Sequence, residues 1–324
     1  MTVEASKGYG PHYEPQLPLV ILGGRDRRST RLPEAGRDHR PLGGFKAVEV
    51  RIGGRSLIEI LVQRMHATGA FSAIYIAGPG DVYGGLGLDV GIIETDGEFG
   101  ENLLTIADFL ARQHSGEQAM FTTCDIVPDP AELRVALDDY FAHRPVDFWM
   151  LQHPVPEAPG GLGQSAWKPK YRLRRRGEPE ATRVIPGHLL AVAPETTHCA
   201  LVCRILDAFY RSRNRSIPER GWVVLQCILR ELVAADWREV RAGRWPTVSV
   251  HVVYHSLGLA RLLAKGTATL EDFEHRLRPI FYLPTHRRRH RDRLGRVAIL
   301  ECYSLAKDID TVEEAREVQA TTSA

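Results

Sequence analysis

The stretch that decides the fold is PLVILGG (Pro18–Gly24), which continues through a basic loop to Lys46. An apolar run that stops at two glycines predicts a buried parallel strand ending in a tight turn. Glycine lets the backbone approach a ligand closely, and N–H groups that follow a strand can form a cradle for anions. Positive side chains surround this turn, so the sequence indicates a site for a phosphorylated ligand. Besides Lys46 they are Arg25, Arg27, Arg28 and Arg31.

Two glycines after a strand also occur as ordinary turn residues, and this alternative stays open. The loop lacks the Gly-Lys-Ser/Thr sequence of a P-loop and the spaced glycines of a dinucleotide-binding fingerprint. These two nucleotide-binding folds are therefore disfavoured, and a different phosphate-binding arrangement is needed.

Composition and charge limit the class of protein. The chain of 324 residues, with 44% hydrophobic and 25% charged residues, is an ordinary globular sequence that can bury a core. Its net charge of +2 argues against a general nucleic-acid binder, which would carry a strong basic excess. No apolar run approaches the roughly 20 residues of a membrane span. Residues 1–16 are polar and lack the hydrophobic segment of a signal peptide. We therefore expect a cytoplasmic protein that does not enter a membrane.

The five cysteines are odd in number and lie mostly in apolar segments, which predicts reduced, buried thiols. His198, Cys199 and Cys203 could suggest metal ligands. However, the two cysteines are one helical turn apart in a segment typical of a buried helix face. Core packing is the favoured interpretation, because no second pair has the spacing of a zinc site.

The residues after the first loop predict a βαβ unit. Ser56 and Glu59 form a capping box at the start of an amphipathic helix that Gly69 ends. A strand at 73–77 follows, with Gly78 in its exit loop. Strand, helix and strand in this order predict a right-handed crossover in a parallel sheet.

The sequence as a whole predicts four regions. They are a lead-in (1–16), a nucleotide-binding half (17–153), an acceptor-side region (154–295) and a closing strand, Asp-x-Asp and helix that complete the single domain (296–324). Within the acceptor-side region we predict a mobile basic loop, a candidate lid, at 155–183. A mostly helical insert follows, interrupted by a strand at 248–253. The run 284–293 is strongly basic, and a solvated loop is favoured there over a phosphate or nucleic-acid patch.

Aspartates follow two predicted strands. In an open parallel sheet, ligands bind at the carboxyl ends of the strands. Asp125 follows a buried strand directly, and Asp308 and Asp310 precede a helix that begins with the capping box of Thr311 and Glu314. Because Mg²⁺ prefers one or two carboxylates together with phosphates and water, Asp125 and Asp310 are the predicted metal ligands. The alternative is that each aspartate only caps the helix after it.

Several motifs resemble the signature of the MobA-like nucleotidyltransferases. Near the start they are Leu22-Gly23-Gly24, Arg31-Leu32-Pro33, Phe45-Lys46-Ala47-Val48 and Gly53-Gly54-Arg55-Ser56-Leu57-Ile58-Glu59. Later motifs similar to the family's are Glu101–Leu104, Thr123–Pro128 and Asp308–Glu314. The resemblance covers 18–152 and 297–319, and between them only Gly187–Pro194 is similar, to the acceptor-side strand. The chain departs from the family in lacking a third loop glycine, in a longer loop before Arg31, in Phe45 for a proline, and in His188 where relatives often have Asn.

The resemblance implies a Rossmann-like α/β three-layer sandwich with a mixed, mostly parallel sheet of the nucleotidyltransferase or GT-A type, here with a helical insert. It implies an enzyme (EC 2.7.7 type) that transfers a nucleoside monophosphate from an NTP to a phosphorylated small-molecule acceptor and releases pyrophosphate. The catalytic residues would be Lys46, Arg31 and Asp125, with Mg²⁺ on Asp125 and Asp310. The nucleotide would contact Leu22, Gly23, Gly24, Arg25, Lys46, Gly78 and Asn102.

The basic acceptor-side region is predicted to hold an acidic acceptor through Lys168, Lys170, Arg183 and His188, although a solvated basic face is the alternative. An acceptor phosphate is already an anionic nucleophile, so no strong general base is required. The lack of an evident Ser-His-Asp or Cys-His set agrees with this reaction. Whether the protein forms a homo-oligomer stays open at this point.

Two other functions stay open. One is a non-catalytic nucleotide-binding member of the same fold, which the missing loop glycine would suit. The other is a GT-A glycosyltransferase that uses a nucleotide-sugar. Such enzymes usually place Asp-x-Asp at the metal strand, whereas this chain has Asp125-Ile126-Val127 there.

Overall fold

The structure is a computed structural model that describes residues 13–25, 40, 42–156, 169–175, 177–212, 217–241, 243 and 245–322. Arg27, Arg28, Arg31 and Lys168 lie outside the described residues.

A mixed sheet of eight strands forms the centre of the fold, in the order β10-β7-β9-β6-β1-β4-β5 with β8 paired to β9. Its strands are β1 (Leu17–Leu22), β4 (Phe71–Gly78), β5 (Gly91–Glu94), β6 (Ala119–Thr123), β7 (Phe148–Pro154), β8 (Tyr171–Arg174), β9 (Ala181–Val192) and β10 (Arg296–Ile299). A separate two-stranded ribbon consists of β2 (Arg51–Ile52) and β3 (Arg55–Ser56). β9 runs antiparallel to β6, β7 and β8, and the other pairings of the large sheet are parallel.

Helices surround this sheet. They are α1 (Lys46–Glu49), α2 (Leu57–Ala67), α3 (Gly80–Tyr83), α4 (Phe99–Gln113), α5 (Pro130–Ala142), α6 (Cys199–Ser212), α7 (Ile217–Arg241), α8 (Val248–Lys265), α9 (Leu270–Phe281), α10 (Pro284–Arg289) and α11 (Val312–Thr322). Short 3₁₀ turns span Gly84–Leu86, Pro194–Thr196 and Tyr303–Leu305. None of the described helices is long and apolar enough to cross a membrane.

β1 lies between β4 and β6 and is buried on both faces. Leu19 and Ile21 belong to a core that includes side chains of α2 and α5, whereas Val20 packs with Ile106 and Leu110 of α4 on the opposite face. A parallel strand covered on both sides needs apolar residues at successive positions, because its side chains alternate between faces. The apolar run therefore specifies the central strand of a three-layer α/β fold, and the predicted fold class is confirmed.

Local signals also place the ends of helices. The Ser56–Glu59 capping box is present at the start of α2. At α11, the Thr311 N–H donates to Glu314 Oε2 at 3.0 Å, and the Glu314 N–H donates to Thr311 Oγ1 at 3.2 Å. Both predicted capping boxes are confirmed.

Two local predictions in the acceptor-side region are wrong, and a third is wrong over the residues that the structure describes. The predicted strand at 248–253 is the first part of α8, because Val248, Val252 and Leu259 share one buried helix face. The alternating valines mimic a strand, but packing of that face decides the structure. The described part of the predicted mobile loop 155–183 contains β8 and the first residues of β9, which pair within the large sheet, whereas 157–168 and 176 lie outside the described residues. In the basic run, residues 284–289 form α10 rather than a loop.

Candidate active site

The carboxyl ends of three parallel strands lie side by side. Leu22, the last residue of β1, is in register with Ala77 of β4 and Thr123 of β6. Gly23 continues this edge, because its N–H donates to the Ala77 carbonyl oxygen at 2.8 Å. Asp125 follows two residues after Thr123, so the glycine turn and the aspartate occupy the same rim of the sheet.

Gly23 and Gly78 are adjacent at this rim, and Tyr83 packs over both. A Cβ at Gly78 would lie 2.5 Å from Tyr83 Cε2, and one at Gly23 would lie 2.9 Å from Tyr83 Cζ. The buried Tyr83 hydroxyl donates to the Gly23 carbonyl oxygen at 2.6 Å. Ring packing thus accounts for glycine at these two predicted nucleotide-binding positions. Gly24, in contrast, is exposed, and no atom of the described residues lies within 4 Å of the position that a Cβ would take there.

Arg25 connects the glycine turn to the segment that carries Lys46. Its guanidinium carbon lies 5.9 Å from the centroid of the Phe45 ring, and its Nε lies 3.8 Å from Asp96 Oδ1. Both members of this ion pair are about half exposed, so salt and solvent weaken it. The guanidinium can therefore exchange this carboxylate for a phosphate at little cost.

Lys46, Asp125 and Asp310 form a compact charged cluster. The Lys46 Nζ lies 2.7 Å from Asp310 Oδ1 and 3.5 Å from Asp125 Oδ2. The side chains of Lys46 and Asp310 are each 7% exposed, and that of Asp125 is 21% exposed. Because few water molecules reach this ammonium, each of its charge-assisted contacts is stronger than a surface pair would be.

Backbone hydrogen bonds bring the distant segments of this cluster together. The Ile309 N–H donates to the Asp125 carbonyl oxygen at 2.9 Å, and the Leu42 N–H donates to the Asp310 carbonyl oxygen at 2.8 Å. The buried carboxylate of Glu314 accepts from the Asp310 N–H at 2.9 Å. The loop before Lys46 and the segment before α11 are therefore held against the end of β6.

Helix capping does not explain the two aspartates. Asp129 caps α5, since its Oδ1 accepts from the N–H groups of residues 131 and 132. The first turn of α11 is capped by Thr311 and Glu314, and the Asp310 carboxylate accepts from Lys46 instead. The capping alternative is therefore wrong for both positions.

The electrostatics of the cluster favour an additional cation. Burial, together with the charges of Asp308 and Asp125, raises the pKa of Asp310 to about 6, although Lys46 opposes the shift. Asp125 Oδ1 is buried and has no hydrogen-bond partner among the described residues. A buried carboxylate oxygen without a donor is energetically unfavourable, which is typical of a site completed by a ligand.

Two carboxylates with an unsatisfied oxygen are a donor set that fits Mg²⁺, whose remaining ligands would be phosphate oxygens and water. Asp125 and Asp310 would hold the ion. No group of three or more His, Cys, Asp or Glu side chains in the described part of the chain is arranged to hold a metal. The donor set thus fits an ion that arrives with a phosphate ligand better than a closed all-protein site.

His188 links β9 to both sides of this cluster. Its Nδ1 lies 2.9 Å from Thr123 Oγ1, and its Nε2 pairs with the buried Asp308 carboxylate. Both ring nitrogens are thus engaged with protein groups. In this structure His188 joins the end of β6 to the segment that carries Asp310.

The other predicted ligand-binding residues are placed at the edge of the site or away from it. Asn102 accepts from the Gly97 N–H at 2.9 Å and so fixes the loop before α4. Lys170 and Arg183 are exposed, just before β8 and early in β9. Neither has a described contact to the Lys46 cluster.

Three features of the site were missed in the sequence: the Tyr83 ring over the glycines, the Thr123 hydroxyl, and the pairing of Asp308 with His188. Thr123 had a readable signal, because it ends the strand that precedes Asp125. The position of Tyr83 had none, since it depends on how α3 packs against two strand ends.

Comparison with known proteins bears on the fold. No family model matches the chain, and no curated protein matches it. Among solved structures the chain is similar to a hypothetical transferase from Thermus thermophilus, with 17% identity and a TM-score of 0.51 over 93% of this chain and 99% of that one. It is also similar to a CMP:2-keto-3-deoxy-manno-octonic acid synthetase in complex with CTP, with 12% identity and a TM-score of 0.48 over 95% and 98% of the two chains. A third similar structure is 2-C-methyl-D-erythritol 4-phosphate cytidylyltransferase from Thermus thermophilus, with 12% identity and a TM-score of 0.41 over 95% and 100%. The first likeness shows a shared fold.

Proposed function

We propose that the protein is a Mg²⁺-dependent nucleotidyltransferase that moves a nucleoside monophosphate from an NTP to a phosphorylated small-molecule acceptor and releases pyrophosphate. One observation carries this proposal: buried Lys46 lies between Asp125 and Asp310 at the carboxyl ends of the strands, next to an open glycine turn. In α/β sheets this edge is where ligands bind.

Each residue of the site has a task that its chemistry suits. The open backbone at Gly24 and the weakly held Arg25 guanidinium would bind the triphosphate. The flexible stem of Lys46 lets its ammonium neutralise either a carboxylate or a phosphate. When bound, Mg²⁺ would neutralise charge on the phosphates between Asp125 and Asp310.

The reaction needs positioning more than proton transfer. An oxygen of the acceptor phosphate attacks the α-phosphorus of the NTP, and the bond from that phosphorus to the bridging oxygen breaks, so that pyrophosphate leaves with the bonding electrons. The attacking oxygen is already anionic, and alignment together with charge neutralisation can supply the rate enhancement. The engagement of both ring nitrogens of His188 agrees with a reaction that needs no general base.

The test is pyrophosphate release from each of the four NTPs with Mg²⁺ and a panel of phosphorylated acceptors. Wild-type protein should release pyrophosphate with at least one NTP–acceptor pair, and Lys46→Ala and Asp125→Asn should reduce the rate at least about a hundredfold, as expected for the loss of a group that neutralises developing charge.

Two controls match these variants. Lys265→Ala removes an exposed lysine at the end of α8, and Asp129→Asn changes an aspartate in the same loop as Asp125 while keeping a side chain that can cap α5. Both should retain wild-type rates. Wild-type turnover in Lys46→Ala and Asp125→Asn would refute the site assignment. Nucleotide binding without turnover for every acceptor would favour the non-catalytic alternative.

A further inference from the structure

A second charged region lies among helices α8, α9 and α10. A cavity of about 440 Å³ opens between them. Its walls carry imidazole and guanidinium groups, and no carboxylate is among the described side chains that line it. The cationic and titratable groups that matter most are His251, His255, His275, Arg278, Arg287 and Arg291.

This cavity is at the opposite end of the sheet from the Lys46 cluster. Asp147, which directly precedes β7, pairs with the Arg278 guanidinium, and its Oδ1 lies 2.8 Å from His286 Nε2. The Asp147 N–H donates to the Leu294 carbonyl oxygen at 2.9 Å, just before β10 begins. The cavity therefore adjoins the amino ends of β7 and β10, whereas Asp125 follows the carboxyl end of the co-directional strand β6. The two sites are separate.

Within the described residues, two polar atoms near this cavity lack hydrogen-bond partners. They are Arg287 Nε and His255 Nδ1, and both are buried. Native proteins satisfy nearly all buried polar atoms, so these two side chains, which line the cavity, carry hydrogen-bonding capacity that no described group uses. Arg278, in contrast, is held by Asp147 and by the His290 carbonyl oxygen.

Like charges crowd each other in this cavity. Burial, and then the charges of Arg278 and Arg288, lowers the pKa of Arg287. Burial also lowers the pKa of His255, and the next contributions come from Arg276, His275, Arg287 and His251. A bound anion would remove this mutual repulsion, because opposite charge favours the protonated forms.

We propose that this cavity binds an oligophosphate anion, either inorganic or carried by a nucleotide. The volume falls within the roughly 300–1,000 Å³ of small-molecule sites. Guanidinium groups match the geometry of phosphate oxygens. They line the cavity from α9, from α10 and from the segment after α10, and α8 adds histidines. A compact volume of this size favours a small polyanion over a nucleic-acid strand, which would follow an extended groove. This inference does not depend on the proposed catalytic function.

The test is calorimetric titration of the full chain with pyrophosphate, tripolyphosphate, ATP and a single-stranded RNA, without Mg²⁺. Tripolyphosphate should bind at the cavity in wild-type protein, and Lys46→Ala should keep this site with unchanged affinity, which separates it from the catalytic one. Arg287→Gln should weaken binding at least tenfold. The matched control is Arg289→Gln, which removes an exposed arginine of α10 that does not line the cavity, and it should bind like wild type.

Further outcomes decide between ligand sources and guard against misfolding. Equal affinities for tripolyphosphate and ATP would identify the phosphate chain as the recognised group, and tighter binding of ATP would identify a nucleotide. The melting temperature of anion-free Arg287→Gln should not fall below that of wild type, because the change removes a half-buried cation that its neighbours repel. Equal weakening by Arg287→Gln and Arg289→Gln, absence of tripolyphosphate binding, or binding of RNA alone would overturn the proposal.

Discussion

Replacing Lys46 by Met tests whether the buried cluster is electrostatically coupled. Removing one partner of a buried ion pair costs about 3–5 kcal/mol of folding stability when the other partner stays buried and charged. Asp310 can become neutral by taking up a proton, since its pKa is already raised to about 6 by burial and by its neighbouring carboxylates. Without Lys46 this pKa rises further, and each additional unit destabilises the ionised folded state by about 1.4 kcal/mol.

The sign of the pH dependence follows from this shift. A carboxyl group whose pKa is raised on folding supports stability at acidic pH, and that support is lost as the pH rises through the pKa of the folded state. Because the pKa of Asp310 is higher in Lys46→Met, this variant loses more stability than wild type above about pH 6. We expect its deficit in unfolding free energy to be about 3 kcal/mol near pH 8 and about 1 kcal/mol near pH 5.

A double-mutant cycle isolates the pair. Asp310→Asn removes the 2.7 Å contact but leaves Lys46 with Asp125 at 3.5 Å, so it should cost about 1–2 kcal/mol. The double variant should be more stable than the sum of the single effects by about 2 kcal/mol near pH 8. Urea unfolding of the four proteins measures these values. Additive effects, or a Lys46→Met deficit that does not change with pH, would show that the cluster is not coupled.

Three further predictions test other parts of the structure. Gly78→Ala should cost about 1–3 kcal/mol by forcing Tyr83 from its place, as urea unfolding would show; an unchanged midpoint would contradict the packing. Asp129→Ala should cost about 1 kcal/mol by removing the cap of α5, without changing nucleotide affinity; a loss of nucleotide affinity would instead place Asp129 in the site. Sulfate, whose own charge is constant near neutral pH, should bind the cavity between α8 and α10 more tightly as the pH falls from about 8 to about 6, because binding protonates His255. Calorimetry at several pH values measures this, and a pH-independent affinity would exclude proton uptake.

The central sheet could be predicted from sequence because its signal is local. The run at β1 is apolar at successive positions and stops at two glycines, which is the pattern of a short strand buried on both faces. The start of α8 was not predictable in this way. Its valines fit both periods, and the choice between them depends on the partners that cover Val248 and Val252.

The candidate site was predictable where chain topology decides it. The rule that ligands bind at the carboxyl ends of strands selects Asp125. The order of the sequence motifs along the chain adds Lys46 and Asp310 to the predicted site. The hydrogen bonds that hold these segments together, such as that from Ile309 to Asp125, join residues far apart in the chain and leave no local pattern. Details of a site that rest on such contacts need a structure.

The long separation of the cluster's residues has a consequence for synthesis of the protein. Asp310 follows Lys46 by 264 positions. While the ribosome is still translating the codons between them, the emerging polypeptide exposes a lysine whose nearest carboxylate does not yet exist. Strands β1, β4, β5 and β6 can therefore be synthesised and can pair well before Asp310, the carboxylate nearest to the Lys46 ammonium, is added to the chain.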